Sequence, residues 1–140
     1  MKTPMLTPAE SIKTCISKLF DFNGRARRSE YWWYTTAVTL AAIVVGLIIV
    51  TVDPNAFDNK TVEYIFTLAV SLLCFSVSIR RIHDSGRSGW YILCGLLPLL
   101  GTFIILLLMV ADSEKTENEY GPSPKYVDDD SQLNPANDAN

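Results

Sequence analysis

The residues with the greatest chemical potential lie in one charged stretch, residues 80–91 (RRIHDSGRSGWY). His83 and Asp84 are adjacent in it, and a histidine that a carboxylate orients can move a proton. Guanidinium groups bind phosphates and carboxylates through forked hydrogen bonds, and three arginines surround the pair: Arg80, Arg81 and Arg87. The stretch is therefore compatible with a small enzyme acting on a phosphorylated or lipid substrate, with His83 and Asp84 as candidate catalytic residues.

A structural interpretation of the same stretch is favoured over catalysis. Arginines beside an apolar segment are typical of a membrane boundary, and Asp84 can pair with one of them. Gly86 and Gly89 let the chain turn as a structural loop, and Trp90 anchors the next apolar segment at head-group depth. Orientation in a membrane requires only basic charge, however. The spacing of the histidine, the aspartate and the glycines therefore leaves open a built site for an anionic ligand.

A second arginine cluster precedes the first long apolar stretch. It is followed by four consecutive aromatic residues at 31–34, and arginines followed by Trp and Tyr are typical of the lipid–water boundary. We expect the two clusters to meet at one membrane face and to contact anionic lipid head groups or a phosphorylated ligand. The candidate ligand-binding residues are Arg25, Arg27, Arg28, Arg80, Arg81 and Arg87.

Three apolar stretches position these clusters: residues 31–52, 62–79 and 90–111. Their only charged residue is Glu63, and each approaches the roughly 20 residues that a helix needs to cross the hydrocarbon core. Ser29 is expected to cap the first of these helices. The predicted fold class is all-α: a multi-pass helical membrane protein whose transmembrane domain, residues 25–111, contains three membrane-embedded helices.

An amphipathic helix is predicted before this domain, over residues 7–24, after a flexible N-terminus at 1–6. Thr7 and Glu10 can form a capping box, with Pro8 at the first helical position. The apolar residues that follow share one helical face: Ile12, Cys15, Ile16, Leu19 and Phe20. We expect this short helix to lie in the membrane interface, although packing on protein is the alternative.

Basic residues predict the orientation. Lys13, Lys18 and the first arginine cluster precede the first span, and the second cluster follows the second span, whereas residues 53–61 contain only Lys60. Because basic residues favour the cytoplasmic side, the N-terminus and residues 80–89 are expected in the cytoplasm. Residues 53–61 are then periplasmic, or outside.

The third apolar stretch is interrupted by Pro98 and Gly101. It forms either one helix kinked at the proline or a re-entrant hairpin, and the single kinked span is favoured. The polar, acidic tail at residues 112–140 would then lie outside, and its composition predicts disorder after about residue 125.

Several classes of function are disfavoured. The arginines follow the membrane boundaries, so no nucleic-acid surface is indicated. His83 is the only histidine and the cysteines Cys15, Cys74 and Cys94 are dispersed, so we expect neither a metal site nor a cofactor. No ionisable residue lies in the middle of a span, which places an oligomeric transporter or channel component third. The expected partners are membrane lipids and further copies of this chain or other membrane proteins.

Four stretches together resemble a known family. They are residues 22–32 (FNGRARRSEYW), 80–90 (RRIHDSGRSGW), 98–101 (PLLG) and 118–124 (NEYGPSP). In this order they resemble the domain of unknown function 805 family of small bacterial inner-membrane proteins. The resemblance implies a multi-pass inner-membrane protein and brings no established activity. The first hypothesis is therefore a structural or interaction protein, and the alternative is a small membrane enzyme using His83 and Asp84.

Overall fold

The computed structural model describes residues 3–126, which form α-helices and 3-10 helices and contain no strand. The α-helices are α1 (Pro8–Ser17), α2 (Arg28–Val52), α3 (Lys60–Asp84) and α4 (Leu100–Val110), and 3-10 helices cover Ala56–Asp58 and Gly89–Leu96. The all-α prediction is confirmed. Helices α2 and α3 are long and apolar enough to cross a membrane, whereas three spans are not confirmed.

Helices α2 and α3 form an antiparallel pair joined by a short turn. Small residues line its interface: Ala41 and Ala42 border an apolar cavity of about 300 Å³ together with Phe66 and Ala69 of α3. Small side chains let helix backbones approach closely where no water drives association. On the outer faces, large aliphatic side chains stay exposed: Leu40, Ile43, Leu47, Leu68 and Leu72. The pair thus presents an apolar surface of the kind that lipid covers.

Helix α1 packs on this pair. Its N-terminus has the predicted capping box, in which Thr7 and Glu10 exchange hydrogen bonds. The helix ends at Ser17, earlier than predicted, because the chain then bends towards α3. There the hydroxyl of Ser76 lies within hydrogen-bond distance of the carbonyls of Lys18 (2.8 Å) and Asp21 (2.7 Å). Of the predicted apolar face, Cys15 is buried against protein, while Ile16 and Phe20 are exposed.

The third apolar stretch does not form one helix. Its 3-10 helix ends at Leu96, Leu99 has a left-handed φ of 62°, and α4 begins at Leu100. The two halves fold back on each other, since a Cβ atom on Gly101 would lie 1.7 Å from the Cys94 carbonyl oxygen. The favoured single kinked helix is therefore wrong. Pro98 disfavours helical conformation in the residue before it, and Gly101 permits the close return.

Two local expectations at the ends of the helices are also wrong. Residues 80–84 form the last turn of α3 and not a loop, because nothing there breaks a helix until Gly86, whose φ is 70°. Ser29 does not cap α2, which begins at Arg28 with Arg27 in the N-cap position. Residues 111–126 return over the end of α3. The predicted disorder after about residue 125 falls almost wholly outside the described residues.

Candidate functional site

Asp84 is the centre of a buried ionic cluster at the end of α3. Its Oδ1 atom lies 3.1 Å from Nε of Arg25 and its Oδ2 atom 2.9 Å from Nη1 of Arg81. The hydroxyl of Ser113 also donates to Oδ2, at 2.5 Å. None of the Asp84 side chain is exposed. We call Arg25, Arg81, Asp84 and Ser113 the Asp84 cluster; it follows the rule that buried charges are paired and hydrogen-bonded.

The other N–H groups of Arg25 bind backbone carbonyls of the returning C-terminal segment. Nη1 donates to Thr116 (2.9 Å) and Gly121 (3.2 Å), and Nη2 donates to Glu114 (2.6 Å). The backbone N–H of Glu114 in turn donates to the Asp84 carbonyl at 2.9 Å. Arg25 therefore fastens residues 114–121 to the end of α3.

Arg81 makes equivalent contacts with the end of α4. Its Nε donates to the Met109 carbonyl at 3.2 Å and its Nη2 to the Ala111 carbonyl. A planar guanidinium with several donors can satisfy a carboxylate and two carbonyls at once. Both arginines at Asp84 thus bind protein acceptors, and their N–H groups face the chain itself instead of an open anion site.

A second cluster joins α1, α2 and α3, and we call it the Glu30 cluster. Nη1 of Arg80 lies 2.8 Å from Oε1 of Glu30, and the thiol of Cys15 lies 3.5 Å from the same oxygen. Arg80 is 1% and Glu30 4% exposed. Burial, together with the Glu30 carboxylate, raises the pKa of the Cys15 thiol to about 12. Cys15 is therefore a protonated packing residue.

His83 and Asp84 do not act on each other within the described structure. Asp84 faces the two arginines, whereas Nδ1 of His83 lies 3.3 Å from the carbonyl oxygen of Gly24. The imidazole stacks on the ring of Tyr120, with centroids 3.6 Å apart and planes 4° apart. Asn118 donates to the His83 carbonyl at 3.1 Å. The proton relay considered for these two residues is not assembled.

The remaining candidate arginines diverge. Arg27 holds the N-terminal segment through Pro4 (2.6 Å) and Thr3 (3.0 Å). Arg28, whose side chain is 41% exposed, binds Asp112 at 2.8 Å. Arg87 is exposed, with its guanidinium 5.9 Å from the ring centroid of Tyr91. The structure thus gathers the two predicted arginine clusters at one end of the helix pair and leaves Arg28 and Arg87 the most accessible.

Asp112 lies at the surface beside these groups. It accepts hydrogen bonds from Arg28 and Lys125 and from the backbone N–H of Ser113. The hydrogen bond from the Lys125 ammonium is the main cause that lowers the pKa of Asp112 to about 2. The carboxylate consequently stays ionised and helps to hold residue 125 near the start of the tail.

Two cavities adjoin the clusters at the end of α3. The larger, of about 430 Å³, is lined mainly by apolar side chains with His83, Ser88 and Tyr120 at one end. The smaller, of about 320 Å³, shares Ser88 and Tyr120 with it and is otherwise polar. Gly89 and Trp90 line the larger cavity and Gly86 the smaller. The two glycines that were predicted to permit a turn, Gly86 and Gly89, therefore also line the cavities.

Sequence reasoning did not find several members of these clusters. Ser113 is a single serine after an apolar stretch and carries no signal of its own. Glu30 is one acidic residue near a helix N-terminus, a place that is favourable without any partner, so it carries no signal for a buried ion pair. Tyr120 and Asn118 lie in the 118–124 motif, which was the available signal for this segment. Within residues 3–126, no group of three or more His, Cys, Asp or Glu residues is arranged to hold a metal ion.

This arrangement defines a small helical protein with two candidate spans and a charged end closed by its own C-terminal segment. The chain belongs to the family "Protein of unknown function (DUF805)", which matches residues 19–122, as the resemblance indicated. It is similar to the inner membrane protein YhaH of Escherichia coli strain K12, with 34% identity over 74% of this chain and 87% of the relative.

A second relative gives the same picture. The inner membrane protein YhaI of Escherichia coli strain K12 is 30% identical over 75% of this chain and 86% of that protein. No solved structure matches the chain. The family match, from residue 19 to residue 122, covers helices α2 to α4, both arginine clusters and most of the 118–124 motif, whereas α1 (Pro8–Ser17) precedes it.

Proposed function

We propose that this chain is a structural or interaction protein of the bacterial inner membrane. The observation that carries the proposal is that its buried charged side chains are bound within the chain itself. Asp84 and the guanidiniums of Arg25 and Arg81 bind one another and backbone carbonyls. His83 is held by a stacking contact and the Gly24 carbonyl. The inner-membrane names of two relatives support the location.

In this proposal α2 and α3 cross the membrane and residues 89–110 re-enter from the cytoplasmic face. Two observations support re-entry. Helix α4 has 11 residues, and at 1.5 Å per residue it reaches only about half the hydrocarbon thickness. Both ends of the segment lie beside the end of α3, since Gly89 adjoins His83 and Ala111 accepts from Arg81. The exposed leucines at the bend, Leu97 and Leu99, then face lipid.

The positions of the basic residues support the orientation. The arginines all lie at the end of the pair formed by the start of α2 and the end of α3, and the opposite turn has Lys60. The N-terminus, residues 85–88 and the C-terminal segment are therefore cytoplasmic in this proposal, and residues 53–59 are periplasmic. Helix α1 lies in the interface, with exposed Ile16 and Phe20 towards lipid.

The contact with anionic lipid is assigned to the accessible arginines. Arg28 and Arg87 are exposed at this face, and cations at a membrane surface attract anionic head groups. Arg25, Arg80 and Arg81 are assigned to holding the fold. In the double variant Arg28→Gln with Arg87→Gln, the binding of anionic lipid at the cytoplasmic face is expected to fall only modestly. The packing of the helices is expected to stay intact.

Reporter fusions test the placement. Green fluorescent protein after residue 140 is expected to fluoresce, because it folds in the cytoplasm, and alkaline phosphatase there is expected to be inactive. Phosphatase inserted after Asn55 is expected to be active. An active phosphatase at the C-terminus would contradict re-entry and restore a third crossing, while fluorescence from the 53–59 turn would contradict the orientation.

A further inference from the structure

The larger cavity has a lining that suits an acyl chain. Phe75, Ile79 and His83 line it at intervals of four residues on one face of α3. From His83 to Phe75 this face extends about 12 Å along the helix axis. Ile92 and Leu93 of the 3-10 helix form the opposite wall. A volume of about 430 Å³ is typical of sites for small molecules, and most of its lining residues are apolar.

The smaller cavity adjoins the larger one on its acidic side. It shares Ser88 and Tyr120 with the apolar cavity and adds the carboxylates of Glu114 and Glu119. Within residues 3–126 neither carboxylate has a salt bridge to a lysine or arginine; Glu114 accepts a hydrogen bond from Asn118 at 2.8 Å. The smaller cavity therefore carries negative charge that the described part of the chain does not neutralise.

His83 adds a hydrogen-bond acceptor to the wall of the larger cavity, beside Tyr120, which lines both cavities. His83 is 8% exposed, and because the Gly24 oxygen can only accept, Nδ1 carries the proton of that 3.3 Å contact. In the neutral ring the lone pair is then on Nε2. A Cβ atom on Gly89 would lie 3.0 Å from this Nε2, so the atom faces the cavity wall. Nothing among residues 3–126 hydrogen-bonds to it.

We propose that the two cavities hold one phospholipid whose head group carries a primary ammonium. One of its two acyl chains lies along Phe75 and Ile79, and its ammonium lies near the Nε2 atom of His83 and the carboxylates of Glu114 and Glu119. The proposal rests on the membrane placement given above, which brings this end of α3 to the cytoplasmic lipid–water boundary.

The chemistry of the lining selects this head group over others. A primary ammonium offers three N–H donors, and the lining offers one imidazole acceptor and two carboxylates. A choline head group has the same charge but no N–H donor, and a glycerol head group leaves the lipid with net negative charge beside two carboxylates. The exposed Arg87, next to Ser88 in the chain, is available for the lipid phosphate.

Native mass spectrometry of the full chain in a mild detergent tests the assignment. Phosphatidylethanolamine, phosphatidylcholine and phosphatidylglycerol with identical acyl chains are titrated separately, and the first bound lipid is quantified. The ethanolamine lipid is expected to bind about tenfold more tightly than the choline lipid, the factor that corresponds to one charge-assisted hydrogen bond. Equal affinities would overturn the proposal, and so would a preference for the glycerol lipid that persists in the Arg28→Gln variant, which lacks an arginine assigned to anionic lipid outside the cavities.

Matched variants locate the site. The double substitution Glu114→Gln with Glu119→Gln is expected to remove the preference for ethanolamine, because both side chains are exposed and their loss spares the fold. Glu117→Gln removes the same charge from the same exposed segment outside the cavities and is expected to keep the preference. If Glu117→Gln and the double variant behave alike, the acidic cavity does not bind the head group.

Two further variants separate the head group from the chain. His83→Phe keeps an aromatic ring against Tyr120 and removes Nε2, so it is expected to lower the ethanolamine preference. Ile79→Trp fills the apolar cavity and is expected to weaken all three lipids alike; undiminished binding would overturn the acyl-chain site. If the reporter fusions confirm the membrane placement but the three lipids bind equally, the lipid site is rejected and the membrane placement stands.

Discussion

The two buried ionic clusters differ in what they join. The Glu30 cluster connects three helices, α1, α2 and α3, through one arginine–glutamate contact and a thiol. The Asp84 cluster connects the end of α3 to a C-terminal segment that has little apolar surface of its own, through two arginines and a series of backbone carbonyls. The first supplements hydrophobic packing, and the second replaces it.

This difference gives the clusters separate consequences on disruption. Loss of the Asp84 cluster should free residues 111–126 and leave the α2–α3 pair standing, because that pair packs through its small and aliphatic residues. Loss of the Glu30 cluster should loosen α1 and leave the C-terminal segment in place. Each variant below is chosen to break one cluster while the other serves as an internal reference.

Asp84→Ala is expected to have the largest effect. It leaves two buried guanidiniums without their counter-ion, and removing one partner of a buried ion pair costs about 3–5 kcal/mol. We expect a lower unfolding temperature in detergent by circular dichroism and rapid trypsin cleavage at Lys115. Asp112→Ala removes a neighbouring carboxylate that is 52% exposed. It should change the unfolding temperature and the cleavage at Lys115 only a little. Unaltered cleavage at Lys115 in Asp84→Ala would show that the cluster does not hold the segment.

Glu30→Gln is expected to come next, at roughly 3 kcal/mol, because one buried cation loses its counter-ion while the amide oxygen still accepts a hydrogen bond. Glu30 raises the pKa of Cys15, so its neutralisation should lower that pKa and speed alkylation of Cys15 at pH 9. Trypsin cleavage at Lys115 should not change. Glu63→Gln, at the other end of the pair, is the control. Alkylation at the parent rate would contradict the assigned link between Glu30 and the thiol.

Arg81→Lys should cost about 2 kcal/mol although the charge is kept. A lysine can reach Asp84 but cannot also supply the hydrogen bonds to the carbonyls of Met109 and Ala111. Arg80→Lys is the matched control, because Arg80 makes one contact with Glu30, which an ammonium can reproduce. Thermal unfolding and cleavage at Lys115 should therefore distinguish the two variants. Equal effects would mean that the carbonyl contacts of Arg81 contribute little.

The helices were largely predictable from the sequence because their signals are local. The uninterrupted apolar stretches indicated α2 and α3, and Thr7, Pro8 and Glu10 indicated the start of α1. The end of α3 was not predictable in this way, because the apolar stretch stops at residue 79 while the helix continues to Asp84. A charge does not end a helix, and the chain ends this one only where Gly86 takes up a left-handed conformation.

The candidate site was predictable only in part, because its contacts depend on how a distant segment returns. Basic charge predicted that both arginine clusters lie at one end. Apart from the Asp84 carbonyl, the carbonyls that bind Arg25 and Arg81 come from residues 109–121, and these reach the site only if residues 90–111 turn back. Pro98 and Gly101 were visible as interruptions, yet the contact between Gly101 and Cys94 is tertiary and has no local signature.

The smallest expected effect concerns the exposed contact beside the Asp84 cluster. The pKa of Asp112 is lowered to about 2 in the folded chain, so its stabilising contribution is present above its unfolded pKa of about 3.9. That contribution is lost as the pH falls through about 2. Because the carboxylate is 52% exposed, the loss should stay below about 1 kcal/mol.

The mobility of a fluorescent dye attached near residue 125 measures this release. Because Lys125→Cys would itself abolish the contact, the dye is attached through Ser123→Cys instead. Its mobility is expected to rise slightly between pH 4 and pH 2 in the parent and to be independent of pH over this range in an Asp112→Asn background. An equal rise in the Asp112→Asn background would contradict this assignment, because the exposed contact would then contribute nothing measurable to holding the segment, and the buried Asp84 cluster alone would hold it.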